Sequence, residues 1–263
     1  MTSFLHVFSI AGVGEMMCKY GAGDKVLQLE SLDTFGFGDF YGVTETFPNT
    51  GELILRAIKL APEYDHIIVH DYPEMIKDIP EHKLIYIFHG SKLRGMSQSD
   101  RDYIAQTGIP VYVTTVDLME LIPSTYLPNP VDLEHFVDDT GTEFEVLKNG
   151  NWFCINRSYQ RDFIEKKIRE KYPKVEYYER NKDSIIQYED MPGFLEQHSN
   201  YVDWKFTYDK PEPNSLPDLS CTGLQAMAVG CTVHNGNGEV TDRKLLAIHD
   251  AKRVTQRFLK DFD

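Results

Sequence analysis

The sequence has few cysteines and no long apolar run. Its four cysteines, Cys18, Cys154, Cys221 and Cys231, are scattered, and no CxxC pair or His/Cys cluster indicates a zinc site. Scattered cysteines are typical of a reducing compartment. No apolar run approaches the roughly 20 residues of a membrane-spanning helix, and the opening "MTSFLHVFSI" lacks the basic region of a signal peptide. These absences predict a cytoplasmic protein with no metal site and no integral membrane segment.

Positive charge is also scarce. Lys and Arg total 27 against 41 Asp and Glu, which gives a net charge of −14. Non-specific binding to nucleic acid depends on neutralising phosphates, so this balance predicts that nucleic acid is not a partner. A small phosphate-bearing ligand remains compatible with it, because a few local cations and backbone N–H groups can bind one.

Short apolar runs alternate with helical periodicity along the first half of the chain. The strand candidates are "FLHVFSI", "HIIVHD", "KLIYIFHG", "IPVYVTT" and "STYLP". The helix candidates are "TGELILRAIKLAP", with Thr50 as a possible cap, "SQSDRDYIAQTG", opened by Ser97 or Ser99, and "VDLMELI". This alternation predicts a parallel sheet with helices on its faces.

The second half repeats the pattern. "NWFCIN", "KVEYYE", "YVDWKFTY" and "CTVHN" are strand candidates, and "TDRKLLAIHDAKRVTQRFLKDF" predicts one long amphipathic C-terminal helix. The acidic, weakly patterned "VDDTGTEFEVLKNG" predicts a linker. We therefore expect an N-terminal Rossmann-like domain over 1–136, a linker over 137–150, a second Rossmann-like domain over 151–241 and a final helix over 242–263.

Polar residues that follow the strand candidates are the first candidates for a site. Ligands of open α/β sheets bind beyond the carboxyl ends of the strands, where the pattern puts Gly12, Gly14, Asp71, His89, Asn156 and Arg157. A glycine loop lets backbone approach a diphosphate, and an arginine can grip one through two parallel N–H bonds. Each feature also has a structural reading, as a turn, a helix cap or a surface ion pair. His66 and His70 lie four apart on a strand, where they do not converge, and we interpret them as structural.

Five segments, taken in order, resemble family 4-type glycosyltransferases of the GT-B fold. "SIAGVGE" is similar to the family's glycine loop, "YIFHGSKLRG" to its strand-His-Gly segment and "LPNPVDLEHF" to the segment that ends its N-terminal domain. "NWFCINRSYQRDF" lies where the family has a strand followed by cations, and "SCTGLQAMAVGCTVHN" resembles its C-terminal signature. The family usually has two glutamates around that Gly-Leu step, where this chain has Gln225 and a divergent segment near Asp218.

The resemblance implies a fold and an activity. The fold is GT-B, in which two Rossmann-like domains with parallel sheets face each other across a cleft and the last helix crosses back to the first domain. The activity is transfer of a sugar from a UDP-, GDP- or ADP-sugar to an unknown acceptor hydroxyl, with retention of configuration and without a metal or other cofactor. The two prolines of "LPNPVDLEHF" would then direct the chain towards the second domain.

The resemblance also assigns residues. It makes His89 and Arg157 the expected catalytic residues and places Asp71 with His89 at the acceptor. The expected donor-binding residues are Gly12, Gly14, Arg157, Arg161, Asp218, Thr222, Gly223, Leu224 and Gln225. Gln225 can hydrogen-bond ribose hydroxyls as donor and acceptor, although it carries no charge.

Two alternatives remain open. A non-catalytic member of the fold would bind a sugar, a nucleotide or a protein without turnover, and the departures at Gln225 and Asp218 favour it. An NAD-dependent oxidoreductase built on "AGVGEM" is the other, although the third glycine of the dinucleotide-binding motif is missing at the expected spacing.

Overall fold

A computed structural model describes residues 2–9, 12–30, 39–73, 79–137, 151–157, 161–180, 186–205, 212–213 and 219–262. Contacts divide the chain into two compact units. Unit 1 comprises Met1–Pro130 together with Ala251–Asp263, and unit 2 comprises Val131–Asp250. Within the described residues, no helix combines the length and apolarity that a bilayer crossing requires.

Unit 1 is a doubly wound α/β unit. Its strands are β1 (Phe4–Val7), β2 (Lys25–Leu29), β3 (Thr44–Phe47), β4 (His66–His70), β5 (Leu84–Phe88), β6 (Val111–Val113) and β7 (Thr125–Tyr126). In the described part of the chain they form a seven-stranded parallel sheet in the order β3-β2-β1-β4-β5-β6-β7. The predicted parallel sheet is therefore confirmed. The central strands read as nearly continuous apolar runs because helices cover both of their faces.

Two helices of unit 1 begin after a residue whose side chain caps them. The helices of the unit are α1 (Val13–Lys19), α2 (Thr50–Leu60), α3 (Ser91–Gly95) and α4 (Gln98–Gln106), with short 3-10 turns at Ala61–Glu63, Glu81–Lys83 and Val116–Glu120. The cap of α2 is Asn49, whose side chain accepts from the N–H of Glu52 at 3.0 Å, so the prediction of Thr50 was wrong by one residue. Ser97 caps α4 in the same way.

Unit 2 contains a second sheet. Its strands β8 (Trp152–Arg157), β9 (Val175–Arg180), β10 (Asn200–Val202), β13 (Thr232–Asn235) and β14 (Gly238–Val240) lie in the order β14-β13-β10-β8-β9. All pairs are parallel except β13 with β14, and a separate antiparallel pair joins β11 (Trp204–Lys205) to β12 (Glu212–Pro213). The helices are α5 (Leu133–Phe136), α6 (Arg161–Lys171), α7 (Met191–Leu195), α8 (Cys221–Val229) and α9 (Leu246–His249). Two 3-10 turns, Tyr188–Asp190 and Arg243–Leu245, complete the unit.

The C-terminal segment is not the single helix that its periodicity predicts. It consists of the turn at Arg243–Leu245, α9, and α10 (Ala251–Leu259), with an interruption at Asp250, where ψ is 116°. The carbonyl of His249 accepts from the N–H of Val131 at 2.7 Å, and Val131 forms an isolated bridge with Asp250. The ψ of Asp250 turns the chain out of the helical path, so the helix breaks there.

The same interruption sets the ends of the two units. Unit 1 ends at Pro130, six residues before the end at 136 that the sequence suggested, because Val131 pairs with the end of α9. The helix α10 counts with unit 1, since Val254 and Phe258 pack with Phe4 and Tyr112 beneath its sheet. Residues 138–150 of the predicted linker lie outside the described residues.

Candidate functional site

The strand order of unit 1 has one reversal, between β1 and β4. The chain proceeds from β1 through β2 to β3 on one side, then returns to β4 and continues to β7 on the other. The loops that follow β1 and β4 therefore lead in opposite directions, and the crevice between them is where open α/β sheets bind ligands. Ser9 and Gly12 follow β1, and Asp71 follows β4.

The backbone is strained on both sides of this reversal. Among the described residues, Phe8 and Asp71 are the two non-glycine residues with positive φ, at 61° and 59°. A left-handed conformation costs an L-residue about 1–2 kcal/mol, and such outliers cluster at ligand and catalytic sites. One follows β1 and the other follows β4, so both lie at the crevice that topology selects.

Three histidines form a hydrogen-bonded relay at this edge. Nε2 of His6 lies 2.7 Å from the carbonyl oxygen of Ala22, and Nδ1 of His6 lies 3.1 Å from Nε2 of His70. Nδ1 of His70 lies 2.9 Å from Nε2 of His89. His6 and His70 are buried, whereas His89 is partly exposed. The relay thus connects the interior of unit 1 to its surface at the carboxyl end of β5.

Strand register produces the relay. His6 pairs with Ile68 across β1 and β4, and His70 pairs with Ile87 across β4 and β5. Side chains two residues apart on a strand share a face, so each ring lies one step further along the next strand. The middle member is His70, for which the sequence alone indicates a structural role.

Two glycines make room for His6. A Cβ on Gly14 would lie 3.1 Å from Cβ of His6, and a Cβ on Gly23 would lie 3.3 Å from its ring and 2.6 Å from the carbonyl oxygen of Phe4. The N–H of Gly14 donates to Oγ of Ser9 at 3.0 Å, and that hydroxyl donates to Glu15 at 2.9 Å. The N–H of Gly14 is therefore engaged inside the protein.

Burial lowers the pKa of all three rings. It lowers the pKa of His6 to about 4, although the hydrogen bond to Ala22 acts in the opposite direction. Burial lowers the pKa of His70 well below its ordinary value, and the neighbouring His89 and His6 lower it further. Burial also lowers the pKa of His89, while the Asp71 carboxyl and a hydrogen bond with Asn129 raise it. At neutral pH the relay carries no net charge.

The surroundings of His89 hold its backbone and its ring. Oδ1 of Asp71 accepts from the N–H of His89 at 2.8 Å, and the side chain of Asn129 bonds the ring. Asn129 belongs to "LPNPVDLEHF", so that segment contributes to this edge as well as ending the unit. Burial raises the pKa of Asp71, and His89, Lys92 and Arg94 lower it.

An arginine lies directly over the glycine that follows His89. Gly90 has a φ of 126°, and a Cβ there would lie 2.4 Å from Nη1 of Arg94. The same guanidinium donates to both oxygens of Asp117 at 2.9 Å and to Oγ1 of Thr115 at 3.0 Å. Lys92 lies 4.9 Å from the centre of the Tyr72 ring. The charge of Arg94 is thus largely offset by Asp117.

Unit 2 has its own reversal, between β8 and β10. The chain moves from β8 to β9 on one side and returns to β10 on the other. Arg157 ends β8 and Arg161 begins α6, and the structure describes the backbone of these two residues but not their side chains. Asp203 follows β10, is buried and accepts from the N–H of Ser220 at 3.0 Å. Asp218 lies outside the described residues.

The start of α8 packs on that carboxylate. Oγ of Ser220 accepts from the N–H of Gly223 at 3.0 Å, and a Cβ on Gly223 would lie 3.2 Å from Oδ2 of Asp203. The N–H of Leu224 donates to the carbonyl oxygen of Ser220 at 2.9 Å. The side chains of Ser220 and Thr222 hydrogen-bond the buried Tyr201. Of the three N–H groups predicted to face a diphosphate, those of Gly223 and Leu224 are engaged by Ser220, and that of Thr222 is not.

The structure brings part of the predicted site together. Asp71, His89 and the loop at Gly12 and Gly14 share one edge of unit 1, and residues 222–225 form the start of α8, where Gln225 is buried. Sequence reasoning missed His6, Glu15, Asn129, Tyr201 and Asp203. The sequence does contain an indication of His6. A histidine within the apolar strand "FLHVF" shares a face with Phe4 and Phe8, so it is expected to be buried. For Asp203 there is no such indication, since its partner lies 17 residues away.

In the portion of the chain that is described, no group of three or more His, Cys, Asp or Glu side chains is arranged to hold a metal ion. The three histidines of the relay lie in a line and bond one another, so their nitrogens do not converge on one point.

Of the comparisons with known proteins, the one with solved structures finds similarity, and this similarity concerns the fold. No protein-family model and no curated protein matches the chain. Among solved structures, the chain is similar to an alpha-glucosyltransferase in complex with UDP and a 13-mer DNA containing an HMU base. The TM-score is 0.53 and the identity 12%, over 98% of this chain and 95% of that one. The likeness agrees with the two Rossmann-like units expected from the GT-B resemblance, while membership of family 4 stays a prediction.

Proposed function

We propose that the chain is a glycosyltransferase that moves a sugar from a nucleoside diphosphate sugar to an acceptor hydroxyl. The supporting observation is that each doubly wound unit carries polar groups at its topological reversal, in a chain whose fold is similar over 98% of its length to a UDP-bound glucosyltransferase. Retention of configuration, independence from metal and a cytoplasmic location belong to the same proposal and rest on the sequence.

The diphosphate belongs to unit 2 in this proposal. Arg157 ends β8 at the reversal, where an arginine can form two charge-assisted hydrogen bonds with a diphosphate. Arg161 and the N–H of Thr222 add to it, and Asp218 and Gln225 bind hydroxyls of the donor. The leaving diphosphate needs stabilisation by fixed cations and N–H dipoles more than it needs a strong base.

The acceptor and sugar hydroxyls belong to unit 1. His89 and Asp71 lie at its reversal, and burial lowers the pKa of the His89 ring, which favours the neutral imidazole. Gly12 remains a candidate for close backbone approach to the donor, whereas the N–H of Gly14 is committed to Ser9. His89→Ala is therefore expected to reduce transfer strongly and to leave nucleoside diphosphate affinity nearly unchanged.

A non-catalytic binding protein is the second candidate. The internal use of the N–H groups of Gly14, Gly223 and Leu224 favours it, because fewer donors remain for a departing diphosphate. The acceptor is open in either case. The net charge of −14 disfavours DNA as an acceptor. DNA containing an HMU base is therefore included in the acceptor panel, because transfer to it would contradict that expectation.

The test is calorimetric titration of UDP, GDP and ADP, with the matching nucleosides, into wild type, Arg157→Ala and Arg157→Lys. A charge-assisted hydrogen bond contributes about 1.5–3 kcal/mol, so Arg157→Ala is expected to weaken the preferred diphosphate by about 10- to 150-fold. Arg157→Lys should restore part of the affinity, and the nucleosides should not distinguish the proteins. Arg169→Ala is the matched control, because Arg169 pairs with Glu165 on the exposed side of α6.

Turnover separates the two candidates. Release of nucleotide from UDP-, GDP- or ADP-glucose, in the presence of an acceptor panel, supports the transferase. Binding without release of nucleotide supports the non-catalytic candidate. If Arg157→Ala leaves the affinity for UDP, GDP and ADP unchanged, the donor site is not at Arg157.

A further inference from the structure

We propose that His6 and His70 are positioning residues that hold His89 protonated on Nε2, so that His89 presents an acceptor nitrogen to a bound hydroxyl. The inference deepens the proposed function, because it rests on the placement of substrate hydroxyls at His89. It assigns the ligand of this edge by chemistry, as a neutral hydroxyl group of a sugar or of an acceptor.

The direction of the relay follows from its inner end. The carbonyl oxygen of Ala22 can only accept, so the nitrogen 2.7 Å away, Nε2 of His6, carries the hydrogen. A neutral imidazole has one N–H, and therefore Nδ1 of His6 accepts from Nε2 of His70. By the same step, Nδ1 of His70 accepts from Nε2 of His89. The ring nitrogen that remains is Nδ1 of His89, and it bears a lone pair.

Proton uptake is confined to that nitrogen as well. A proton added to Nδ1 of His6 or of His70 would face the N–H of the neighbouring ring, so the relay would have to break. A proton added to Nδ1 of His89 breaks no relay bond, and the hydrogen bond with the Asn129 side chain raises the pKa of this ring and so favours its protonated form. The partly exposed end is thus the one that responds to a ligand or to pH.

The groups around His89 suit a hydroxyl better than a phosphate. Asp71 lies beside it from the loop after β4, and His70 faces it from β4 itself. The cations of α3 act on Asp71, whose pKa they lower, and each also has another partner: Arg94 holds Asp117 and Thr115, and Lys92 lies over the Tyr72 ring. A phosphate oxygen would meet the lone pair of Nδ1 and the Asp71 carboxyl, whereas a hydroxyl can donate a hydrogen bond to Nδ1.

The core of unit 1 accommodates the relay through two glycines beside His6. Gly14 and Gly23 lack the Cβ atoms that would crowd His6, and Gly23 has a φ of 112°. A buried apolar side chain at position 6 would need no acceptor at Ala22 and no partner at His70.

The experiment is a long-range ¹H–¹⁵N correlation measurement of histidine rings in the full ¹⁵N-labelled chain between pH 5 and 8.5. Signals are assigned from single His→Gln variants. All three rings are expected to show the Nε2–H tautomer at pH 7.5, and His89 is expected to take up a proton before His6 and His70 as the pH falls. An Nδ1–H tautomer of His89, or uptake by all three rings together, would overturn the inference.

A variant tests the positioning role directly. His6→Leu removes the group that fixes the direction, so His89 is expected to become a mixture of both tautomers. His6→Gln retains an amide that can donate to Ala22 and is expected to keep more of the Nε2–H form. His66→Leu is the matched control, since His66 lies on β4 but packs on Phe4 and Phe262 outside the relay. An unchanged His89 in folded His6→Leu overturns the role. If His6→Leu does not fold, the wild-type tautomers and titration decide alone.

Failure of this inference is distinguishable from failure of the proposed function. The same samples are titrated with UDP, GDP and ADP and assayed for release of nucleotide from their sugars. If the tautomers are as expected but no nucleotide binds, the inference about the relay stands and the proposed transferase function is wrong. Turnover with His89 in the Nδ1–H form would do the reverse.

Discussion

The two units have reversals of the same kind in their sheets and present opposite chemistry there. Unit 1 offers an uncharged relay of imidazoles, a buried Asp71 and an arginine already paired with Asp117. Unit 2 places Arg157 at the end of β8 and the start of α8 over buried Asp203. Under the proposed function, topology selects the location of each site, and the residue types at each edge decide whether we expect hydroxyls or a diphosphate there.

Glycines at the two edges serve packing in both units, with different neighbours. Gly14 and Gly23 make room for His6, and Gly223 lets α8 approach Asp203. A glycine-rich segment at the mouth of a sheet therefore does not by itself identify a phosphate loop. The neighbour that a Cβ would touch is the more informative observation.

The sharpest way to separate the units is a substitution in α10. Phe258 is fully buried, with its ring centre 5.5 Å from that of Phe4 and 5.1 Å from that of Tyr112. Phe258→Ala is expected to destabilise unit 1 by about 3–5 kcal/mol and to leave unit 2 intact. Hydrogen exchange followed by peptide should show lost protection in β1 and β4 but not in β10 or β13. Phe153→Ala, in the core of unit 2, should give the opposite pattern, and equal loss in both units would contradict the division.

Gly23→Ala tests the space reserved for His6. The strain of its positive φ costs about 1–2 kcal/mol, and crowding against the Phe4 carbonyl adds about 1–3 kcal/mol. We expect a loss of about 2–5 kcal/mol in chemical denaturation. Gly42→Ala isolates the strain, because Gly42 has a φ of 70° with nothing within 4 Å of a Cβ, and it should cost about 1–2 kcal/mol. Equal losses for both variants would show that the close contact is unimportant.

The pH dependence of stability should also identify the relay. The folded pKa of His6 is lowered to about 4 from 6.5, so below pH 6.5 the unfolded chain binds a proton that the folded chain does not. Stability contributed by a neutral His6 is present above pH 6.5 and lost as the pH falls towards 4, by roughly 3 kcal/mol at about 1.4 kcal/mol per pH unit.

Wild type should therefore lose more stability than His6→Leu between pH 6.5 and 4, measured by urea denaturation at each pH. Glu15 and Asp71 act in the opposite direction in both proteins, because burial raises the pKa of each carboxyl. The difference between the two proteins removes their contribution. Parallel pH profiles would mean that His6 is charged or exposed.

Sequence periodicity predicted the elements whose apolar residues recur at a fixed spacing. The buried runs of β1, β4 and β5 and the stripe on α2 are of this kind. It did not predict β3 or β14, which are short, polar and partly exposed. The periodicity predicted α9 and α10 as one helix. It could not indicate the interruption at Asp250, because Asp250 forms a bridge with Val131, more than 100 positions away.

The candidate site was predictable to a similar degree. Asp71 and His89 follow strands, so the sheet rule finds them. The relay needs knowledge of which strands are neighbours, since His6, His70 and His89 meet only when β4 lies between β1 and β5. The pattern of a single sequence indicates which face of a strand each residue lies on, but it does not give the order of the strands in the sheet.

The inclusion of α10 in unit 1 bears on how this chain can be synthesised. Residues 1–130 are synthesised before α10, so Phe4 and Tyr112 lack the cover of Val254 and Phe258 until those two residues have been added. At about 5–20 residues per second this delay is on the order of ten seconds. Unit 2, whose ends are joined by the hydrogen bond from Val131 to His249, is continuous in sequence and can close earlier. The nascent segment 1–130 therefore exposes the apolar surface beneath α10 until residues 251–259 have been added.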